Sequence, residues 1–138
     1  MSSIIFTIPG KPAGKARPRF VKKTGIAFSP DPGNFQARVQ LFASEAGCRP
    51  QEGAVRLRIQ IHRRMPKSWS KRKSALAKGQ PAMGKPDTGN ILLAICDGLQ
   101  GAAYHDDLQV TSFSVHRLWD DEDKTVIRVS PDTQPNSI

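Results

Sequence analysis

Residues 55–62 read VRLRIQIH, in which Val55, Leu57, Ile59 and Ile61 alternate with Arg56, Arg58, Gln60 and His62. A period of two sends the four aliphatic side chains to one face of a β-strand and the polar, largely basic set to the other. The strand is therefore half buried, with a core on one side and a charged surface on the other. A chain of 138 residues is long enough to bury one such core without disulfide or metal staples.

The remaining segments supply partners for that strand. Ile4, Phe6 and Ile8 alternate in a first strand closed by Pro9 and Gly10. FVKKTGIAF (20–28) predicts a small hairpin around Thr24 and Gly25, and PDPG (30–33) a turn. Asn34 is placed to cap a helix running to about Ala46, with Phe35, Val39, Phe42 and Ala46 on one face and Gly47 ending it. Residues 65–86 form a basic connector, with a short helix expected from Ser68 or Ser70. Asn90 opens the compact helix ILLAICDGL, which ends near 98–101. LQVTSFSVHRLW alternates as a strand, 120–123 make a charged turn, and KTVIRV closes as a last strand. Neither a repeat nor a long linker interrupts this order. The result is a single α+β domain over 1–130, followed by a polar tail at 131–138.

The net charge of +9 points to a polyanionic partner. It is unevenly placed: 18 Lys and Arg against three acids before residue 87, and three against nine from there on. The acid-free loop GKPAGKARPRF carries Lys15, Arg17 and Arg19, and a second basic run carries Arg63, Arg64, Lys67, Lys71, Arg72 and Lys73. With Lys85, these side chains suit phosphate contact, which gives salt-dependent affinity and little sequence information. Trp69, inside the second run, reads first as a hydrophobic anchor and second as a platform for an opened base. The chain has one tyrosine and no aromatic strand of the RNA-recognition kind, which argues against an RNA-binding module. Cys48 and Cys96 show neither CxxC nor metal spacing, so they read as reduced thiols of a cytoplasmic protein. No secretory segment is present, and the longest apolar run, 91–96, is far too short to span a bilayer. His62, His105 and His116 have no zinc-ligand spacing.

Cutting a phosphodiester calls for carboxylates that hold Mg2+ or Mn2+. Asp87 lies just before a predicted helix and Asp106 and Asp107 just before a strand. The two acidic clusters meet if the helix between them packs antiparallel to that strand. Taken singly, Asp87 reads as a Pro-Asp turn or helix cap, and the Asp106-Asp107 pair as a solvated loop. Pro86-Asp87 with Glu122-Asp123-Lys124 also satisfies the letters of a PD…(D/E)xK site, but that site wants its ExK on a strand and here it falls in a turn.

IPGKPAGKARPRF, FSPDPGNFQARVQ and KPDTGN…CDGLQGAAYHDDLQV, in that order, resemble the landmarks of the RusA family of Holliday junction resolvases over about residues 4–130. The resemblance implies a homodimer whose mixed sheet packs against two main helices. It also implies an endonuclease that resolves four-way DNA junctions in recombination and repair with Mg2+ or Mn2+. Carried over by residue, the catalytic aspartates fall on Asp87, Asp106 and Asp107, with Asp87 and Asp107 as metal ligands. Asn90 and Asp97 fall in supporting positions, and Gln109 is the glutamine that follows the DD pair. Two positions depart from the pattern: Gly89 stands at the family's second catalytic aspartate and Leu93 at its helix lysine. Loss of a carboxylate weakens metal affinity, and loss of the cation removes charge that would stabilise the reacting phosphate. Lys85 and Asp97 are the neighbours placed to compensate. The expectation is retained binding to branched double-stranded DNA with reduced or absent cleavage.

Overall fold

The computed structural model describes residues 3–28 and 30–133. Strand β1 (Ile4–Pro9) is followed by the hairpin of β2 (Arg19–Val21) and β3 (Ile26–Phe28), then helix α1 (Phe35–Glu45). Next come β4 (Val55–Arg64), the short α2 (Lys71–Ala77) and α3 (Thr88–Leu99), and the chain closes with β5 (Val110–Asp120) and β6 (Lys124–Pro131). The sheet order is β1-β6-β4-β5, with β4 parallel to β5 and the other two pairings antiparallel. This is an α+β domain built on a mixed sheet, with β4 in its interior and one of its faces buried, as the alternation of 55–62 predicts for the face.

Val55, Leu57, Ile59 and Ile61 of β4 are fully buried with Ile8, Ile127 and Tyr104. Helices α1 and α3 close this face through Phe35, Val39 and Ala43 on one and Ile91, Ala94, Ile95 and Leu99 on the other. The two helices approach so closely that a Cβ on Gly98 would meet the Gln36 carbonyl oxygen and Val39 Cβ, each at 2.8 Å. Arg58, Gln60 and Arg128 occupy the open face. The outer edge of β5 is partly covered: Gly79 donates to the Trp119 carbonyl at 2.8 Å, and Ala82 to that of Arg117 at 3.1 Å. The cover shields the edge from pairing with another chain at that point.

Two expectations about helix starts change. Asn34 is left-handed and makes no side-chain cap; Asp31 caps α1 instead, accepting from Gln36 N at 2.9 Å and Ala37 N at 3.2 Å. The turn at Pro32 and Gly33 brings the longer-range carboxylate back over the helix end. Helix α3 likewise starts at Thr88, earlier than Asn90, because Asp87 caps it. At the other end of the chain Asp132 is tied in, its N–H donating to Ala54 O at 2.9 Å and its carboxylate accepting from Arg56 and Thr111. Residues 134–138 of the polar tail lie outside the described residues.

Candidate nucleic-acid interface and nuclease site

The acid-free loop after β1 is docked on the start of α3. Lys15 N donates to Asn90 O at 3.1 Å, and a Cβ on Gly14 would lie 3.0 Å from Pro86 Cβ and 3.1 Å from Asn90 Cβ. Arg38 of α1 fixes the loop's first residues by donating to Pro9 O at 2.7 Å and Lys11 O at 2.9 Å. Lys15 forms an ion pair with Asp97, so part of its charge is spent within the protein and Asp97 acts as its counter-ion. Arg17 and Arg19 stand exposed beyond it.

The second basic run folds differently. Lys71, Arg72 and Lys73 fill the first turn of α2, capped by Ser70 Oγ, which accepts from Lys73 N at 3.1 Å. Three cations at a helix N-terminus oppose its dipole, at about 0.3–1 kcal/mol each. An arrangement unfavourable to the helix itself suits an external polyanion. Trp69 packs edge-to-face on Trp119 with ring centroids 4.9 Å apart, which supports the anchoring role. Lys73 lies over the Trp69 ring at 4.4 Å and Arg63 over Trp119 at 5.1 Å.

The carboxylates are held by local bonds. Asp87 Oδ1 accepts from Asn90 N at 2.8 Å. Asp106 caps the 3-10 turn Asp107–Gln109, accepting from Leu108 N at 2.9 Å. Gln109 fastens this turn to the sheet. Its Oε1 accepts from His105 N at 2.8 Å and Asp106 N at 3.0 Å, while Nε2 donates to Gln51 O at 2.7 Å and Gly53 O at 2.9 Å. Just upstream, Tyr104 is wholly buried and donates its hydroxyl to Cys96 O at 2.6 Å, and burial pushes its phenol far above the ordinary range. The turn bearing Asp106 and Asp107 is thus pinned on both sides.

The field of Asp107 reaches Cys96 and Tyr104, and burial, then that charge, holds the Cys96 thiol high. The field of Asp87 reaches Arg117. Among the described residues no three His, Cys, Asp or Glu side chains gather into a set able to hold a metal ion. Position 89 has room for a side chain. A Cβ there meets only Asp87 Oδ1, at 3.5 Å, in ordinary contact and without a left-handed backbone. Leu93, one turn on, is 55% exposed. Glu122 and Asp123 lie in the turn between β5 and β6, where Asp123 Oδ1 accepts from Arg64 N at 2.9 Å, a geometry unlike a strand-borne ExK.

Arg117 is the site residue that sequence reasoning passed over. In register with Ile61, it carries charge on the sheet face that otherwise packs the core. Its Nη1 donates at 2.9 Å to both Gly84 O and Pro86 O, so β5 grips the loop that presents Asp87. Burial, then the nearby Arg63 charge, lowers its pKa, while Asp87 opposes the shift. The available signal was one Arg in the Phe113, Val115, Trp119 series of a strand.

The chain matches the endodeoxyribonuclease RusA family over residues 9–130. It is also 30% identical over 139 residues to the uncharacterized protein YqaN of Bacillus subtilis (strain 168), with 94% of this chain and 96% of that protein covered. No helix among the described residues is long and apolar enough to cross a membrane.

Proposed function

The chain belongs to the RusA endodeoxyribonuclease family, and from that premise we propose that it binds four-way DNA junctions as a homodimer and cuts them weakly. The observation that supports this reading is the docking of the basic loop on the start of α3, which sets the segment carrying Lys15, Arg17 and Arg19 against the one that carries Asp87. A symmetric dimer suits a junction with near-twofold symmetry. Resolvases of this family depend on a divalent metal. Here Mg2+ or Mn2+ would find Asp87 and Asp107 but no carboxylate at 89, so affinity for the ion and turnover both fall. With the helix cation also absent at Leu93, the DNA-binding half of the activity is the part this chain retains in full. A second reading, a junction-binding protein that no longer cuts in recombination or repair, is favoured by Gly89 and Leu93 standing at the family's second aspartate and helix lysine.

The test is a synthetic four-way junction offered with Mg2+ or Mn2+ to the protein and to its Gly89→Asp/Leu93→Lys variant. Both should bind the junction more tightly than a linear duplex, and the variant should cut at least about 100-fold faster, the scale of one restored charge-stabilising group. Full-rate cleavage by the unaltered chain, or none by the variant, overturns the proposal.

A further inference from the structure

Between the loop after β1, the end of β4 and the segment before α3 lies a cleft of about 100 Å3 lined by Lys11, Pro12, Ile61, His62, Arg63, Lys85, Pro86, Arg117 and Asp123. We propose that this cleft is a binding pocket for a single phosphate group, which in DNA is a backbone phosphate lying beside Asp87.

Charge is the first ground. Among the lining residues Lys11, Arg63, Lys85 and Arg117 bring four cations against the one carboxylate of Asp123, which accepts from Arg64 N; Asp120, held by His62, and Asp87, whose field reaches Arg117, lie just outside and leave the cations in excess. The Arg63 charge acts directly against that of Arg117 in a half-buried setting, a pairing that favours a shared counter-anion.

Unused hydrogen-bonding capacity is the second ground. Arg117 Nε and His62 Nε2 are buried without a partner, each a group whose burial is costly until satisfied. His62 Nδ1 sits 2.7 Å from Asp120 Oδ2; the carboxylate accepts, so Nδ1 carries a proton and the imidazole is oriented for Nε2 to serve an anion when protonated.

Geometry is the third ground. Arg63 donates to Met83 O at 2.7 Å and Arg117 to Gly84 O and Pro86 O, so the two guanidiniums are braced by the loop that shapes the cleft. Gly84, at φ 144°, leaves the space that the Arg63 guanidinium occupies, and any side chain there would displace it. The cleft has room for one tetrahedral anion. It is also distinct from the cations of α2 and of Arg17 and Arg19. In the DNA reading, on which this assignment of the phosphate's source rests, the cleft supplies cations that position 93 lacks.

Inorganic phosphate, titrated at constant ionic strength into the full chain, is the direct probe, read by the 1H–15N signals of the three histidines. Phosphate should move His62 saturably and leave His105 and His116 in place. A Lys11→Gln/Lys85→Gln variant, altered at two exposed side chains, should bind phosphate at least about tenfold more weakly. For a labelled four-way junction, that variant should show a salt slope smaller by about 0.9, the value of one lost phosphate contact. No His62 shift, or equal shifts at all three histidines, overturns the pocket even where junction binding persists. A His62 shift in a chain that fails to bind junctions leaves the pocket standing for a free phosphate or nucleotide and removes the DNA reading instead.

Discussion

Gln109 offers a sharp test of how the Asp106-Asp107 turn is held. Its carboxamide accepts two backbone N–H groups and donates to two backbone carbonyls, at 2.7–3.0 Å throughout. A hydrogen bond contributes about 0.5–1.5 kcal/mol net, with exposed ones near the low end, so Gln109→Ala should cost about 2–3 kcal/mol. Gln109→Glu keeps the shape and the two accepting bonds. A carboxylate has no proton for Gln51 O and Gly53 O, however, and faces both carbonyls at hydrogen-bonding distance. At pH 7 the isosteric variant should therefore be no more stable than the alanine variant, and less stable by about 1 kcal/mol if the carbonyls cannot retreat. That environment raises the folded-state pKa of the introduced acid above its unfolded value of about 4.3. For an acid so shifted, the penalty is complete above the folded pKa and vanishes as pH falls through it towards 4.3. Urea midpoints at pH 7 and pH 4.5 read both effects: the Glu variant gains on wild type as pH falls, while the Ala variant keeps a constant deficit. A Glu variant as stable as wild type at pH 7 would refute the donor role assigned to Nε2.

Gly98→Ala should lower stability by about 1–2 kcal/mol in urea melts. Overpacking against Gln36 O and Val39, at about 1–3 kcal/mol, outweighs a gain in helix propensity of about 1 kcal/mol; an unchanged or raised midpoint counts against the close α1–α3 approach. The Asp120 carboxyl is held below its ordinary range by the Asp121 N–H at 2.7 Å and then by His62. A depressed acid stabilises fully above its unfolded pKa near 3.9 and loses that contribution as pH falls through the folded value. Asp120→Asn should thus lower stability at pH 7 and do so progressively less below pH 4, so a deficit that does not change with pH would discount the carboxylate's charge.

Regular alternation made the sheet legible. β4 was readable because its apolar face is unbroken for eight residues, and the hairpin because Thr24 and Gly25 punctuate it. The caps were harder, since Asp31 reaches α1 across a turn whose direction is set by Gly33 at φ 63°, a conformation that spacing along the chain does not reveal. In the site, residue types marked Asp87, Asp106 and Asp107, but not what each touches. Asp87 and Asp106 proved to be caps in geometry, whatever they add in chemistry. Arg117 escaped notice, and Gln109 was placed without its role, for one physical reason: each acts on backbone carbonyls, and a carbonyl leaves no mark in the letters of its residue.

The two departures from the family pattern are placed where the fold is indifferent to them. Gly89 and Leu93 both point away from the core, one into open space beside Asp87 and the other to solvent. Neither contributes to the α1–α3 contact or to the grip of Arg117 on the loop before Asp87. On the proposed reading, replacing an aspartate and a lysine at these positions removes chemistry at almost no cost in stability, and relieves the repulsion that two adjacent carboxylates would exert without metal. Arg38 and Arg117 are under a different constraint, because their guanidiniums tie backbone segments together. A change at 89 or 93 thus leaves these ties, and the loops they hold, in place. That separation is the physical reason why the proposed junction binding would outlast cutting.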